Sequence, residues 1–271
     1  MSSQIHPRAM IHPNAKIGAD TVVEADVIID EHVEIGANCH LRARAIVTGH
    51  TRLGDCNVVG YGAILGAEPQ DTAYSGVISY VEIGHGNTFR EYVTVHRGTA
   101  EHSKTIVGDR NLILTGAHVA HNCTLGNDIT LVNNVLLAGH VVVQDHAFLG
   151  GDAVVHQHCR IGAYAMVRGQ TRLGVDVPPF LMAVDTNEVI GINRVGLQRH
   201  GFTESRRRLI QRAFLVLYRR GLTRSEALGA IAADRELAPS EDIQQLCEFI
   251  RTSRRGICKL YRKHATLESS D

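Results

Sequence analysis

The chain of 271 residues has no tryptophan, and only 5% of it is aromatic. A core built on large rings is excluded, so the interior must be aliphatic. No apolar run is long enough to span a bilayer. The first residues, Met1 to Arg8, lack the apolar stretch that heads a secretory signal. The six cysteines, at 39, 56, 123, 159, 247 and 258, form no C-x-x-C pair, which removes a zinc knuckle or a disulfide framework as the organising principle. No nucleic-acid motif accompanies the basic residues. These absences together lead us to expect a reduced, soluble, cytoplasmic protein without a membrane span. Net charge is also lacking, with 28 basic and 28 acidic residues. The zero is a balance of two unequal parts. From Arg199 onward there are 15 Lys/Arg and 9 Asp/Glu, and before it 13 and 19, which suggests two regions with different partners.

What is present is a period of six. Every sixth residue from Ile5 to Leu65 is a branched aliphatic, as are Ile83 and Val95, and the register runs again from Val107 to Leu173. A period of six fits neither a helix nor a plain strand; it is the hexapeptide signature of a parallel β-helix. The next residue is often glycine (Gly18, Gly36, Gly54, Gly84, Gly108, Gly126), which suits a tight corner where the backbone must turn. The fifth residue of each hexad is often small, and Cys39, Cys123 and Cys159 occupy that slot as interior packers rather than ligands. Two stretches leave the register, 66–80 and 98–105. Insertions in a solenoid map to loops on one face, often the binding face.

The repeat ends at Val177-Pro178-Pro179. We expect a β-helix over 1–180, an irregular connector over 181–202 and a small α-helical region over 203–271. Thr203 caps a helix to about Arg219, Thr223 and Glu226 form a capping box, and Pro239-Ser240 opens a third helix to about Arg251. A last short helix is expected from Ile257 to Lys263. The arginines of the first helix, including Arg206, Arg207, Arg208 and Arg212, make either a solvated face or a docking surface for an acidic partner.

Sixteen histidines are present, most of them incidental. His118, His121, His140 and His156 fall within about two coils, and spacings near one coil predict a column of imidazoles on one edge. Histidine titrates near neutrality, so such a column can serve as general base and polar clamp, or bind zinc.

Several segments carry a more specific likeness. His96-Arg97-Gly98-Thr99, the A-H-V-A-H-N-C-T-L-G run at 117–126, L-A-G-H at 137–140, G-G-D-A-V-V-H-Q at 150–157 and G-L-Q-R-H-G-F at 196–202 keep order and spacing over nearly the whole chain. In these the sequence resembles the UDP-N-acetylglucosamine acyltransferases, which open lipid A synthesis. The resemblance implies a left-handed β-helix with three hexads to a coil, assembled as a homotrimer with active sites between subunits. It implies transfer of a 3-hydroxyacyl group from acyl carrier protein to the glucosamine 3-hydroxyl of UDP-N-acetylglucosamine, with no resident cofactor or metal. His121 matches the family's general base, and the Gly139 backbone its oxyanion donor. Gln70, Asp71, His118, His140, His156 and Gln157 match residues lining the nucleotide-sugar site. Arg199 matches an arginine near the phosphates, and Gly169 the position that measures acyl length. The basic tail fits the acidic carrier protein.

The chain departs from the family at Asn122, where aspartate usually follows the base, and at Ala73, Val195 and His200, where lysine, glutamate and arginine are common. An amino-sugar acceptor therefore stays open. So does a zinc-dependent β-helical carbonic anhydrase, with His118 and His121, or His121 and His140, among its ligands.

Overall fold

The computed structural model describes residues 3–261. Among them, strands of mostly two residues stack into three sheets of 12, 9 and 8 strands, parallel except for one pair in the first. One coil illustrates the rule: Leu112–Ile113 belongs to the first sheet, His118–Val119 to the second and Thr124–Leu125 to the third. The register is one coil per 18 residues, as in Ile113↔Leu131, Val119↔Leu137 and Leu125↔Val143. The sheets wind as a left-handed parallel β-helix, and helices follow at the C-terminal end. Within each short strand one side chain faces out and the next faces in. The inward residues are the aliphatics of the repeat; Ile113, Val119, Leu131 and Leu137 are wholly buried. Cys39, Cys123 and Cys159 sit inside as expected, and burial pushes the Cys123 thiol up to about 12.

The glycines after the aliphatics do not make the corners. None of Gly18, Gly36, Gly54, Gly84, Gly108 or Gly126 has a positive φ. They are small because the next coil passes too close: a Cβ on Gly108 would stand 2.5 Å from the Gly126 carbonyl oxygen. The left-handed residue comes two positions later and is seldom glycine; examples are Asp20, Asn38, Asn122, His140 and His158, with φ from 55° to 63°. Asn, Asp and His tolerate that region best among non-glycines. Along most of the helix the corner N–H donates one coil back, as His140 does to the His121 carbonyl at 3.0 Å.

Two excursions interrupt the stacking. Around the first, partners lie 30 residues apart instead of 18, and around the second 24. A bulge at Gly66, with φ of 89°, launches the first loop where the ladder shifts between Leu65 and Ala67.

The expected irregular connector is ordered. Leu181–Val184 continues the first sheet beside Met166–Val167, and Glu188–Ile192 returns antiparallel to it. Helix α1 (Arg194–Arg199) follows, capped by the Asn193 side chain. The stretch reads as irregular because it folds back as an antiparallel hairpin instead of winding another coil, so it carries no hexad. Helices α2 (Glu204–Arg219), α3 (Arg224–Ala233) and α4 (Glu241–Arg251) start at Thr203, Thr223 and Ser240, and α3 has the full capping box with Glu226. The last expected helix is instead a strand, Lys259–Leu260, paired with Glu188 and Val189, where sheet hydrogen bonding overrides local helix preference. Residues 262 and 263 lie outside the described residues. Arg160 fastens the tail to the last coils: it pairs with the buried Asp176 at 3.1 Å and donates to the Phe249 carbonyl at 2.7 Å.

The interior also holds a polar column, Asn57, Asn87 and Asn111, all buried. Asn87 donates through Nδ2 to Asn57 Oδ1 at 3.0 Å and accepts from the Asn111 backbone N–H at 2.8 Å. Asn87→Ala leaves the buried Asn111 N–H without its acceptor, while Asn57 Oδ1 keeps the backbone N–H of residue 87. It is expected to lower unfolding stability by about 1–3 kcal/mol, read as a lower denaturant midpoint.

Candidate active site

The corner between the second and third sheets gathers the expected chemistry. The 18-residue register places His121, Gly139 and Gln157 one above another. His121 is buried, and its ring lies directly on Gly139; a Cβ there would sit 2.5 Å from the ring Nε2. Only glycine admits the imidazole at this point. His140, on the next coil, meets the His121 ring edge-on at 5.3 Å. Asp71, carried in by the first excursion, brings Oδ2 to 3.8 Å from His121 Nε2. The Asp71 carboxylate is held by the Ala73 N–H at 2.9 Å, and its carbonyl accepts from the Tyr74 N–H.

Asn122 decides which nitrogen of His121 is bare. Its Oδ1 accepts from the Thr99 N–H at 3.1 Å and the Thr99 hydroxyl at 3.0 Å, and lies 3.0 Å from His121 Nδ1. The backbone N–H can only donate, so the oxygen of the amide must face this way. His121 Nδ1 then carries the proton, and Nε2 presents a lone pair toward Asp71. The Asn122 backbone is itself fixed by the Thr105 hydroxyl at 2.8 Å. Among the described residues, no acceptor faces the Gly139 N–H. At other corners the equivalent amide is taken by a side chain of the next coil, as Ala37 is by Asp55 and Asp109 by Asn127.

Burial disfavours the charged form of three surrounding imidazoles. Burial, then the neighbouring His96 and His121, pushes His118 down to about 4. Burial also lowers His96, and burial with His158 and His121 lowers His140. His118 Nδ1 and the Thr94 hydroxyl are 2.7 Å apart. His96 packs against His118 with ring centroids 4.9 Å apart, and among the described residues its buried Nδ1 has no partner. Sequence reasoning named His96 only as part of a motif. The signal available was its place one residue past the repeat aliphatic Val95.

Other expected residues lie elsewhere. The imidazole column continues through His158, stacked on His140 at 4.6 Å, and not through His156. The coil period is 18, and a spacing of 16 misses the stack. His156 is exposed on the same corner, its Nδ1 against the Gln157 carbonyl at 3.2 Å. Gln157 and Gln70 are also exposed. Gly169 occupies the corner between the first and second sheets, on the Gly151 stack, away from His121. Arg199 is exposed at the end of α1, and the adjacent His200 packs on His146 at 4.8 Å and Tyr164 at 5.3 Å. Val195, on the same helix, is 58% exposed.

Comparison with known proteins extends over both regions. Residues 176–258 match the family model for UDP-N-acetylglucosamine O-acyltransferase, domain 2. The acyl-(acyl-carrier-protein)–UDP-N-acetylglucosamine O-acyltransferase of Halorhodospira halophila is 42% identical over 213 residues, 78% of this chain and 82% of the relative. That of Syntrophobacter fumaroxidans is 36% identical over 94% of this chain and its own full length. The crystal structure of a UDP-N-acetylglucosamine acyltransferase from Bacteroides fragilis superposes with a TM-score of 0.90 at 39% identity, covering 94% of this chain and 99% of that one. The likeness therefore runs through the coil, the excursions and the helical tail alike, and the chain belongs to the acyl-(acyl-carrier-protein)–UDP-N-acetylglucosamine O-acyltransferase family.

Proposed function

We propose that this chain transfers a 3-hydroxyacyl group from acyl carrier protein to the glucosamine 3-hydroxyl of UDP-N-acetylglucosamine, the first step of lipid A synthesis, with His121 as general base. The observation that carries the reading is the three-way acceptance at Asn122 Oδ1, which leaves His121 Nε2 as the bare nitrogen. Nε2 takes the sugar hydroxyl's proton as the oxygen attacks the thioester carbonyl. The Gly139 N–H receives the oxyanion of the tetrahedral intermediate. Collapse breaks the C–S bond, and the proton held by His121 passes to the departing thiolate of the carrier's phosphopantetheine. The neutral His118 and His140 offer hydrogen bonds to the acceptor without adding charge, and Asp71 offers a carboxylate to its hydroxyls. Gln70, His156 and Gln157 extend the same corner as further sugar contacts. The relatives are named O-acyltransferases, which favours a hydroxyl over an amino acceptor, and family membership displaces the zinc-dependent reading.

The assembly in this reading is a homotrimer. Gly169 and Arg199 lie away from His121 in one chain, so they can serve its substrate only from a neighbouring copy. Outward apolar side chains on the first and second sheets support such a contact: Leu112, Leu136, Phe148 and Val154 are 39–43% exposed. Arg199 then serves the nucleotide phosphates and Gly169 the acyl end, while the basic α2 receives the acidic carrier protein. No cofactor is required, because the acyl group arrives activated. Among the described residues no helix is long and apolar enough to cross a membrane, and the six cysteines are free, which suits a reducing cytoplasm.

Purified trimer supplied with UDP-N-acetylglucosamine and 3-hydroxyacyl carrier proteins of graded length should turn over. His121→Ala should lose at least about 100-fold in kcat. Failure of the folded trimer with every chain length would sink the acceptor assignment. Asn122→Asp puts a carboxylate beside the imidazolium, stabilises it, and should move the acidic limb of the rate profile to higher pH by about one unit. Gly169→Met should shift preference toward shorter acyl chains; an unchanged length profile would remove Gly169 from the acyl site.

A further inference from the structure

Arg97 is an ionised side chain in an unusual place. Its side chain is 13% exposed, and the one carboxylate it touches, Glu68 at 3.1 Å, is 71% exposed. A guanidinium this far from water costs free energy unless its donors are taken. They are taken by one segment. Arg97 donates to the Gly66 carbonyl at 3.0 Å, to Glu68 Oε1 and to the Tyr74 hydroxyl at 3.0 Å, and its own backbone N–H reaches the Ala67 carbonyl at 3.0 Å. Every one of these acceptors belongs to the first excursion. The guanidinium also lies 5.6 Å from the centre of the Tyr74 ring. Tyr74 in turn donates its hydroxyl to the Val77 carbonyl at 3.0 Å and its backbone N–H to the Asp71 carbonyl at 3.0 Å.

The connection from Arg97 to the imidazole is therefore short. Arg97 pins the excursion at its first foot, Gly66 through Glu68, and at its middle through Tyr74. The turn closed by Tyr74 holds Asp71, and Asp71 faces His121 Nε2. Arg97 is also fixed from below, since a Cβ on Gly49 would stand 2.9 Å from its Nη1. We propose that Arg97 is a positioning residue that clamps the inserted loop so that Asp71, with Gln70 beside it, meets the nucleotide sugar at the His121 nitrogen. Lysine does not replace it, because one ammonium cannot span a backbone carbonyl, a carboxylate and a phenol in a planar fork. The proposal rests on the reading of Asp71 as a contact to the sugar acceptor.

A double-mutant cycle on the full-length enzyme tests it, with KM measured separately for UDP-N-acetylglucosamine and for acyl carrier protein. Arg97→Ala is expected to raise KM for the nucleotide sugar about tenfold, the scale of one charge-assisted hydrogen bond, and to leave KM for the carrier protein unchanged. Asp71→Ala should do likewise, and Arg97→Ala with Asp71→Ala should fall well short of the product of the two effects. Tyr74→Phe removes a single hydroxyl, so it carries the test if Arg97→Ala unfolds; it should raise the same KM by a smaller factor with an unchanged circular dichroism melt. Independent, multiplying effects would mean that Arg97 acts elsewhere, and would overturn the proposal. So would a rise in both KM values together, or full function in Arg97→Lys. If Asp71→Ala alone leaves the sugar KM untouched, the contact reading fails first and the clamp falls with it. If Asp71→Ala raises that KM while Arg97→Ala and Tyr74→Phe do not, the clamp alone is refuted.

Discussion

The stacking of one coil on the next every 18 residues is the constraint on which the rest depends. The strand N–H and C=O groups bond between coils, with only corner turns such as Ala117 N–H to the Leu114 carbonyl closing within one, so each residue is held against the residue one period away. The geometry around His121 inherits that constraint. His121 can lie over a bare peptide only because residue 139 is glycine. The same stacking brings His140 to the ring edge and leaves the Gly139 amide without a protein acceptor among the described residues. A slip of one residue would turn each of these side chains toward the opposite face. The aliphatic interior enforces the register, because Val119 and Leu137 are wholly buried in line with one another.

The corners are where the repeat becomes chemical. A left-handed residue is needed there, and Asn, Asp and His fill it more readily than other side chains. Asn122, His140 and His158 are such residues, with φ of 59°, 61° and 63°. Their backbones are locked by N–H donation across coils or, for Asn122, by Thr105, so their side chains project from fixed points. A rigid scaffold with polar side chains at its edges needs only loops to complete a site. The two excursions supply them: Thr99 in the second orients Asn122, and Asp71 in the first approaches from the open side.

Much of this was legible in the sequence, for physical reasons. The hexad is a one-dimensional signal of a repeated packing problem, so sheets, interior and breaks follow from it. The caps at Thr203 and Thr223 are local and equally readable. What escaped was nonlocal. The strand at Lys259–Leu260 exists because Glu188 and Val189 offer it an edge. The glycine columns answer to a neighbouring coil rather than to their own dihedrals. His158 replaces His156 in the imidazole stack because register, not proximity in sequence, decides contact. Asn57, Asn87 and Asn111 are buried as a hydrogen-bonded column, which the aliphatic period alone does not announce. In the site, the pairing of His121 with His140 followed from spacing, whereas the positions of Asp71 and Arg97 depend on the path of a loop that no period encodes.

An amide beside His121 fits this particular pocket. Orienting His121 requires only an acceptor at Nδ1, and Asn122 Oδ1 meets that need while its other two bonds stop the amide from turning over. Charge is supplied from the opposite side, where Asp71 lies 3.8 Å from Nε2. A second carboxylate at 122 would place negative charge on both sides of one imidazole, beside His96, His118 and His140, whose charged forms burial disfavours. The present arrangement separates the two tasks. Asn122 orients the ring through Nδ1, and Asp71 places its carboxylate on the Nε2 side. That division makes the loop bearing Asp71 more consequential here than in a site where a carboxylate already stands behind the base. It also accounts for the cost of burying an arginine whose side-chain hydrogen bonds all serve to hold that loop still.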